Sequence, residues 1–295
     1  MQDSTDPRDP PSGPRVMPKT AARTDARAAS EASGAASGPL RIVLKLGGSV
    51  VLDPAQVAAS AAEVQALKAA GHSVVVVHGG GPQLDTALAE LGEAIQKVDG
   101  LRVTSRAASE VVRNVMESIG DALTAQWSAA GLASVHIGVA WEAFPSTPKH
   151  ERLGRVGTVE AFVPPEPWPP GLAIITPVGF DAEGVLNINA DEGARAVAAC
   201  LRADWLVLGT DVAAVRGTTG EPMQRLTPAQ AEELLAQRTA TGGMVPKLGN
   251  ALAALQAGVR NVLVTRIQPG FAAALMAGAP EGTLVAAAPV PRTTR

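Results

Sequence analysis

The chain has 295 residues, 46% of them hydrophobic, with a formal net charge of -3 and a pI near 5.9. That is enough apolar material for a large core, as one α/β domain or two fused lobes. The slight acidity, with no basic block, argues against a nucleic-acid or membrane-surface partner. A single cysteine, Cys200, excludes an intramolecular disulfide framework and fits a reducing cytoplasm.

Residues 1–39 are rich in Ala, Ser, Pro, Asp and Arg and poor in large apolar side chains, so they read as a disordered tail outside the fold. They hold no continuous apolar segment of the signal-peptide kind, and their acidic residues oppose a mitochondrial presequence. No later apolar run approaches the roughly 18 residues of a membrane span.

Ordered structure is expected from Arg41. Arg41-Ile-Val-Leu-Lys-Leu46 reads as a buried strand ending in Gly47-Gly48-Ser49, and Ser73-Val-Val-Val-Val-His78 as a second ending in Gly79-Gly80-Gly81-Pro82. Between them, Val57, Ala61, Val64 and Leu67 recur at helical spacing up to Gly71, a helix stop. A further helix follows over about 82–91. This β-α-β-α rhythm predicts a mainly parallel sheet with right-handed crossovers, an α/β fold of three layers. Two neighbouring strands thus deliver glycine clusters, and one a lysine, to the carboxyl edge of the sheet, where open α/β sheets bind ligands. Glycine lets several backbone N–H groups approach an anion closely, and Lys45 and the helix start near Pro82 add positive charge. A phosphate or a phosphoryl group in transfer fits such a site; tight turns beside a surface lysine are the alternative.

Residues 93–105 break the rhythm with a loop or hairpin turning at Asp99-Gly100, and leave Arg102 among apolar neighbours. That arginine either pairs with a structural carboxylate or clamps a substrate carboxylate. A long helix over about 106–130 leads to a strand over 134–138. Residues 139–170 are irregular, with a hairpin expected over Leu153–Val159 as a substrate lid. His136 and His150 are isolated, without metal-ligand spacing, and read as structural or surface residues. After a strand over 172–177, Asn187-Ile-Asn189-Ala-Asp191 places two asparagines on one side of an extended chain, their amides toward one ligand. Asp191 reads as a ligand contact or an N-cap of the helix running to about 202, in whose apolar stretch Cys200 is expected to be core. The strand 204–209 ends in Thr210-Asp211-Val212, and Thr227-Pro228 opens a helix. Lys247 precedes a helix expected over 248–257, where a positive charge is unfavourable unless an anion is near. A strand over 261–264, a short helix and a strand over 282–285 complete the pattern.

Assembled, residues 41 to about 285 resemble the amino acid kinase family. Lys45-Leu-Gly-Gly48, Val77-His-Gly-Gly-Gly81 and Thr210-Asp-Val212 carry the broad likeness, and Gly100-Leu-Arg-Val-Thr104, Asn187-Ile-Asn-Ala-Asp191 and Gly242-Gly-Met-Val-Pro-Lys247 the likeness to its acetylglutamate kinase branch. The resemblance implies an αβα sandwich and transfer of phosphate from ATP, with Mg2+, to the side-chain carboxylate of N-acetyl-L-glutamate in arginine biosynthesis. It implies an acyl-amino-acid lobe over 40–178 and a nucleotide lobe over 179–290. Carried over by motif, Lys45 and Lys247 would stabilise the moving phosphoryl group and Asp191 would orient them. Gly80, Gly81, Arg102, Asn187 and Asn189 would hold the substrate. Gly47, Gly48, Thr210, Asp211, Val212, Ala213, Ala214, Val215, Arg216, Thr239, Ala240 and Thr241 would line the nucleotide pocket, with magnesium held mainly by the nucleotide's phosphates. A P-loop is excluded, because Gly-x-x-x-x-Gly-Lys-Ser/Thr is absent.

Three stretches depart from the branch pattern. Ile119-Gly-Asp-Ala122 stands where an Asn-Lys pair is usual, Ile137-Gly-Val-Ala-Trp-Glu142 replaces Ser-Gly-Lys-Asp-Gly, and Ala214 replaces a common glycine. The alternatives are a kinase for another acylated amino acid of the aminoadipate type, and a catalytically weak amino-acid-binding regulator, for which two phosphoryl-directed lysines would be superfluous. A cytoplasmic homodimer is expected, since the tail lacks the apolar helix that links larger assemblies in this branch.

Overall fold

The computed structural model describes residues 38–98, 100–240 and 242–286; the tail expected before Gly38 lies outside them, as do Asp99 and Thr241. In chain order the first elements are β1 (Arg41–Leu46), α1 (Gly48–Leu52), α2 (Pro54–Ala69), β2 (Ser73–His78) and α3 (Gly81–Glu90). The short strands β3 (Lys97–Val98) and β4 (Leu101–Arg102) precede α4 (Arg106–Ala129), β5 (Ser134–Ile137), β6 (Ser146–Pro148), β7 (Gly157–Val159) and β8 (Leu172–Ile175). Then come β9 (Gly179–Asp181), β10 (Gly184–Leu186), α5 (Ala190–Cys200), β11 (Trp205–Gly209), β12 (Val215–Arg216), β13 (Pro222–Met223) and β14 (Arg225–Leu226). Helices α6 (Pro228–Ala236) and α7 (Met244–Gln256), strand β15 (Asn261–Thr265), helix α8 (Phe271–Met276) and strand β16 (Thr283–Val285) follow.

Eight strands form the central sheet in the order β14-β16-β15-β11-β1-β2-β8-β5. The six from β15 to β5 run parallel, and β16 is antiparallel to β15. The order places strands from the first half of the chain on one side of the β1/β11 seam and strands from the second half on the other.

Side chains alternate across the sheet because the strand period is two. On one face Ile42, Leu44 and Leu46 of β1 pack with Val57, Val64 and Leu67 of α2, Leu123 and Trp127 of α4 and Phe271 of α8. On the other, Val43 packs with Ala194 and Val197 of α5, Ala231 and Leu234 of α6, and Leu248 and Ala251 of α7. Covered on both faces, the inner strands are continuous apolar runs, and the expected three-layer αβα sandwich is what the chain forms. Lys45 shares the face of Val43, so its side chain enters the α5 layer rather than the α2 layer.

Local chemistry sets the helix ends. Asp53 caps α2 by accepting the Ala55 and Gln56 N–H groups, with Pro54 at its first position. Ser105 accepts the Ala108 N–H at the start of α4.

Three expectations need correction, and one helix was not expected. The helix expected to follow Lys247 begins at Met244, not at 248, and so contains it, with Pro246 in the first turn, where its missing N–H has no partner to lose. The lid hairpin pairs Ser146–Pro148 with Gly157–Val159, spanning a wider loop than 153–159. The five-residue α1 had no sequence signal, being too short for periodicity and rich in β-branched valine. Cys200 is exposed, because α5 emerges from its cover in its last turn.

Candidate active site

A cleft of about 690 Å³ opens at the carboxyl ends of β1, β2 and β11. It sits where the strand order reverses, the position at which an open α/β sheet leaves room for a ligand. The loops after β1 and β2 form its floor by direct backbone contact. A Cβ on Gly48 would lie 2.7 Å from the Gly81 nitrogen and 2.8 Å from Pro82 Cδ, so only glycine permits this approach. Helices α3, α5 and α7 all begin in the cleft wall, at Gly81, Ala190 and just beyond Gly243, and direct the positive ends of their dipoles inward.

Lys45 from β1 and Lys247 from α7 meet on Asp191, the second residue of α5. Lys247 donates a hydrogen bond to Asp191 Oδ2 at 2.9 Å. Lys45 Nζ stands 2.9 Å from Oδ1 as an ion pair whose angles fall outside those of a hydrogen bond. All three are buried, with 8%, 6% and 5% exposure for Lys45, Lys247 and Asp191. Burial pushes the Asp191 carboxyl up, but the two lysines outweigh it and hold it at about 2. Burial, followed by the neighbouring Lys45, lowers Lys247, and Asp191 opposes that shift. The cluster carries two positive charges on one negative, an excess facing a cleft ringed by helix N-termini. Such an arrangement favours anions and draws two of them together.

At the other end of the cleft, Arg102 donates through Nε to Asp85 Oδ1 at 3.1 Å and through Nη2 to the Gly81 carbonyl at 2.8 Å. Arg102 thus pairs with a carboxylate of the fold, and it also lines the cleft. Lys97 reaches the same Asp85 at 3.0 Å and also lines the cleft.

The two asparagine side chains have different partners within the fold. Asn187 donates to Thr104 Oγ1 at 3.0 Å, and Asn189 caps α5 by accepting the Asp191 N–H at 2.8 Å. Both residues line the cleft, and the cap of α5 is therefore Asn189, not Asp191. The β6–β7 hairpin contributes Val156 to the wall. It is fastened by the buried Glu192, which accepts the Val159 N–H at 2.9 Å and Lys149 Nζ at 3.0 Å.

Of the residues expected in a site, Lys45, Gly47, Gly48, Gly81, Arg102, Asn187, Asn189, Asp191, Thr210, Asp211, Val212 and Lys247 all line this cleft. Gly80 instead backs onto Met116 and Ile119. Ala213 to Arg216, Thr239 and Ala240 lie outside its wall, and Thr241 is outside the described residues. Sequence reading missed Asp85, Lys97 and Glu192, because what identifies them is their partners across 12 to 43 residues of chain.

An αβα sheet with paired lysines and glycine loops at its carboxyl edge defines a class. Residues 40–266 match the amino acid kinase family, and the chain belongs to that family. Within it, the chain is 33% identical over 243 residues to an acetylglutamate kinase of Psychrobacter arcticus, covering 76% of this chain and 80% of the relative. It is 36% identical over 231 residues to an acetylglutamate kinase of Cereibacter sphaeroides, covering 76% and 79%. Among solved structures, smu.665 from Streptococcus mutans UA159 superposes with a TM-score of 0.72 at 27% identity, covering 84% of this chain and 99% of that one.

Proposed function

We propose that the chain is an acetylglutamate kinase, transferring the γ-phosphoryl group of ATP to the side-chain carboxylate of N-acetyl-L-glutamate in arginine biosynthesis. A carboxylate oxygen attacks the γ-phosphorus, the bond to the β-phosphate oxygen breaks, and ADP departs with that electron pair. The observation that carries this reading is the meeting of two lysine ammonium groups on one buried carboxylate inside a single cleft.

The nucleophile is already ionised at neutral pH and needs no general base. The barrier is the approach of two anions, which positioning and charge neutralisation lower. Lys45 and Lys247, held by Asp191, would face the three equatorial oxygens of the moving group. The N–H groups around Gly48 and Gly81 would donate hydrogen bonds to its oxygens, and Arg102, with Asn187 and Asn189 nearby, would take the α-carboxylate end of the acyl amino acid. Thr210 to Val212 would meet the nucleotide, with Gly47, the 213–216 stretch and residues 239–241 at its far end. In this division residues 40–178 serve the acyl amino acid and residues 179–290 the nucleotide, on either side of the β1/β11 seam.

The cleft's lysines and helix N-termini suit a triphosphate. No trio of metal-donating side chains occurs there among the described residues, so magnesium would arrive on the nucleotide, adding charge neutralisation between its phosphates. No described helix is long and apolar enough to cross a membrane. The chain would act as a homodimer in the cytoplasm, and sedimentation of the purified chain tests the dimer.

A coupled ADP-release assay tests the activity, with N-acetylglutamate, N-acetylaminoadipate, glutamate and aspartate as acceptors. Turnover with N-acetylglutamate far above the others is expected. Preference for N-acetylaminoadipate, or no turnover with any acceptor, would overturn the reading.

A further inference from the structure

Outside the cleft, α4 and the edge strand β5 bring together Glu117, Asp121 and His136, with one donor atom from each within 4.8 Å of the others. Glu117 and Asp121 are four residues apart on one helix and so share a face. Two of the stretches that depart from the branch pattern meet here. Asp121 belongs to the 119–122 stretch, while Gly138 and Val139 of the 137–142 stretch accommodate Glu117. Space for the donors comes from two glycines. A methyl group at Gly120 would collide with the His136 ring, and one at Gly138 would collide with the Glu117 carboxylate.

The hydrogen bonds around the cluster fix its protons. Thr176 Oγ1 lies 2.7 Å from Nε2 of His136 and 2.7 Å from Nε2 of the buried His78. Its single hydroxyl proton serves one imidazole, so the other must donate to it. His78 Nδ1 faces the Gly79 carbonyl at 3.4 Å, which calls for a proton on Nδ1 and a bare Nε2. Thr176 then donates to His78 and accepts from His136 Nε2–H. A neutral His136 ring then places its Nδ1 lone pair 2.8 Å from Asp121 Oδ1, and a protonated ring makes an ion pair there. Glu117 stands beside them, one oxygen accepting the Val139 N–H at 2.6 Å. Either a bridging proton or a bound cation satisfies this arrangement. The pattern is that of a metal-bound histidine whose second nitrogen donates outward and whose neighbouring carboxylate is anchored by a backbone amide.

We propose that Glu117, Asp121 and His136 form a binding site for a divalent transition cation, with zinc as the reference ion. Two carboxylates balance the charge of the ion, and the imidazole favours zinc, copper, iron or nickel over magnesium, calcium and manganese. Three protein donors leave the remaining position to water, on the exposed side of Asp121. The ion would join α4 to β5 and, through Thr176 and His78, brace the Gly79–Gly81 loop at the cleft floor.

The test uses the full untagged chain, stripped with a chelator and titrated calorimetrically with zinc chloride alone, without nucleotide or magnesium. One equivalent per chain is expected, with a raised melting temperature. Asp121→Asn and His136→Asn should each weaken uptake by more than about tenfold, the lower end of what loss of even an outer-shell partner costs. Because Asp121 is on the surface, with its side chain 68% exposed, Asp121→Asn should fold normally and keep its kinase turnover. Cobalt(II) should give visible ligand-field absorption in the parent chain and not in either variant. Absence of zinc uptake, or uptake indifferent to both substitutions, would overturn the site. So would nitrogen NMR of His136 with zinc in excess showing protons on both ring nitrogens, since a proton would then occupy the place assigned to the ion.

Discussion

In the proposed reaction Lys45 and Lys247 are the residues on which transfer would depend, and their predicted effect follows from where they point. An ammonium group that gains most from charge in the transition state affects turnover more than ground-state binding. Lys45→Ala and Lys247→Ala are each expected to lower kcat by about 2–4 kcal/mol of barrier, with small changes in KM for either substrate. Unchanged turnover in both variants would remove these roles. Arg102→Ala should instead raise KM for the acyl amino acid with little change in KM for ATP. Asp191 carries a pH signature. Its carboxyl sits at about 2 in the folded chain against a usual 3.8, so the folded state releases this proton more readily than the unfolded one. The stability it contributes is fully present above pH ~4 and is lost as pH falls toward 2, a change of about 2 kcal/mol. Denaturation midpoints measured between pH 5 and 2 should show this loss in the parent chain and a shallower one in Asp191→Asn.

At the scale of elements, β1 is the piece whose loss would be felt most widely, since it pairs with β2 and β11 and buries side chains on both faces. Leu44 is fully buried against the α2 layer, and Leu44→Ala should cost about 2–5 kcal/mol, read as a drop in the urea midpoint without a change in slope. How much of this was legible in sequence depended on the kind of signal each element carries. The apolar runs of β1 and β2, the glycine clusters after them and the helical spacing of α2 and α4 are local, and they placed the cleft correctly. The β6–β7 hairpin was misplaced because Glu192 holds one arm at Val159 and Thr104 holds the connecting loop at Leu153 and Arg155, in place of a tight turn. Its loop, with a 3-10 turn over Glu151–Leu153, has no short-hairpin signature. Asn187 and Asn189 were legible as neighbours in the cleft wall but not in their hydrogen bonds, since alternation gives a side and not a partner. Likewise His136 looked solitary along the chain, because its neighbours lie on a helix 15 and 19 residues earlier.

For the molecule as a whole, the seam between β1 and β11 means that neither half of the chain owns a complete sheet. Each half, expressed alone, would present a long apolar strand with an unsatisfied row of backbone donors and acceptors, a template for indiscriminate pairing. Cutting the gene between codons 178 and 179 should therefore yield two insoluble polypeptides when made separately. Produced together, they should recover each other as a soluble, nucleotide-dependent enzyme, a split reporter whose reassembly is read by its own turnover.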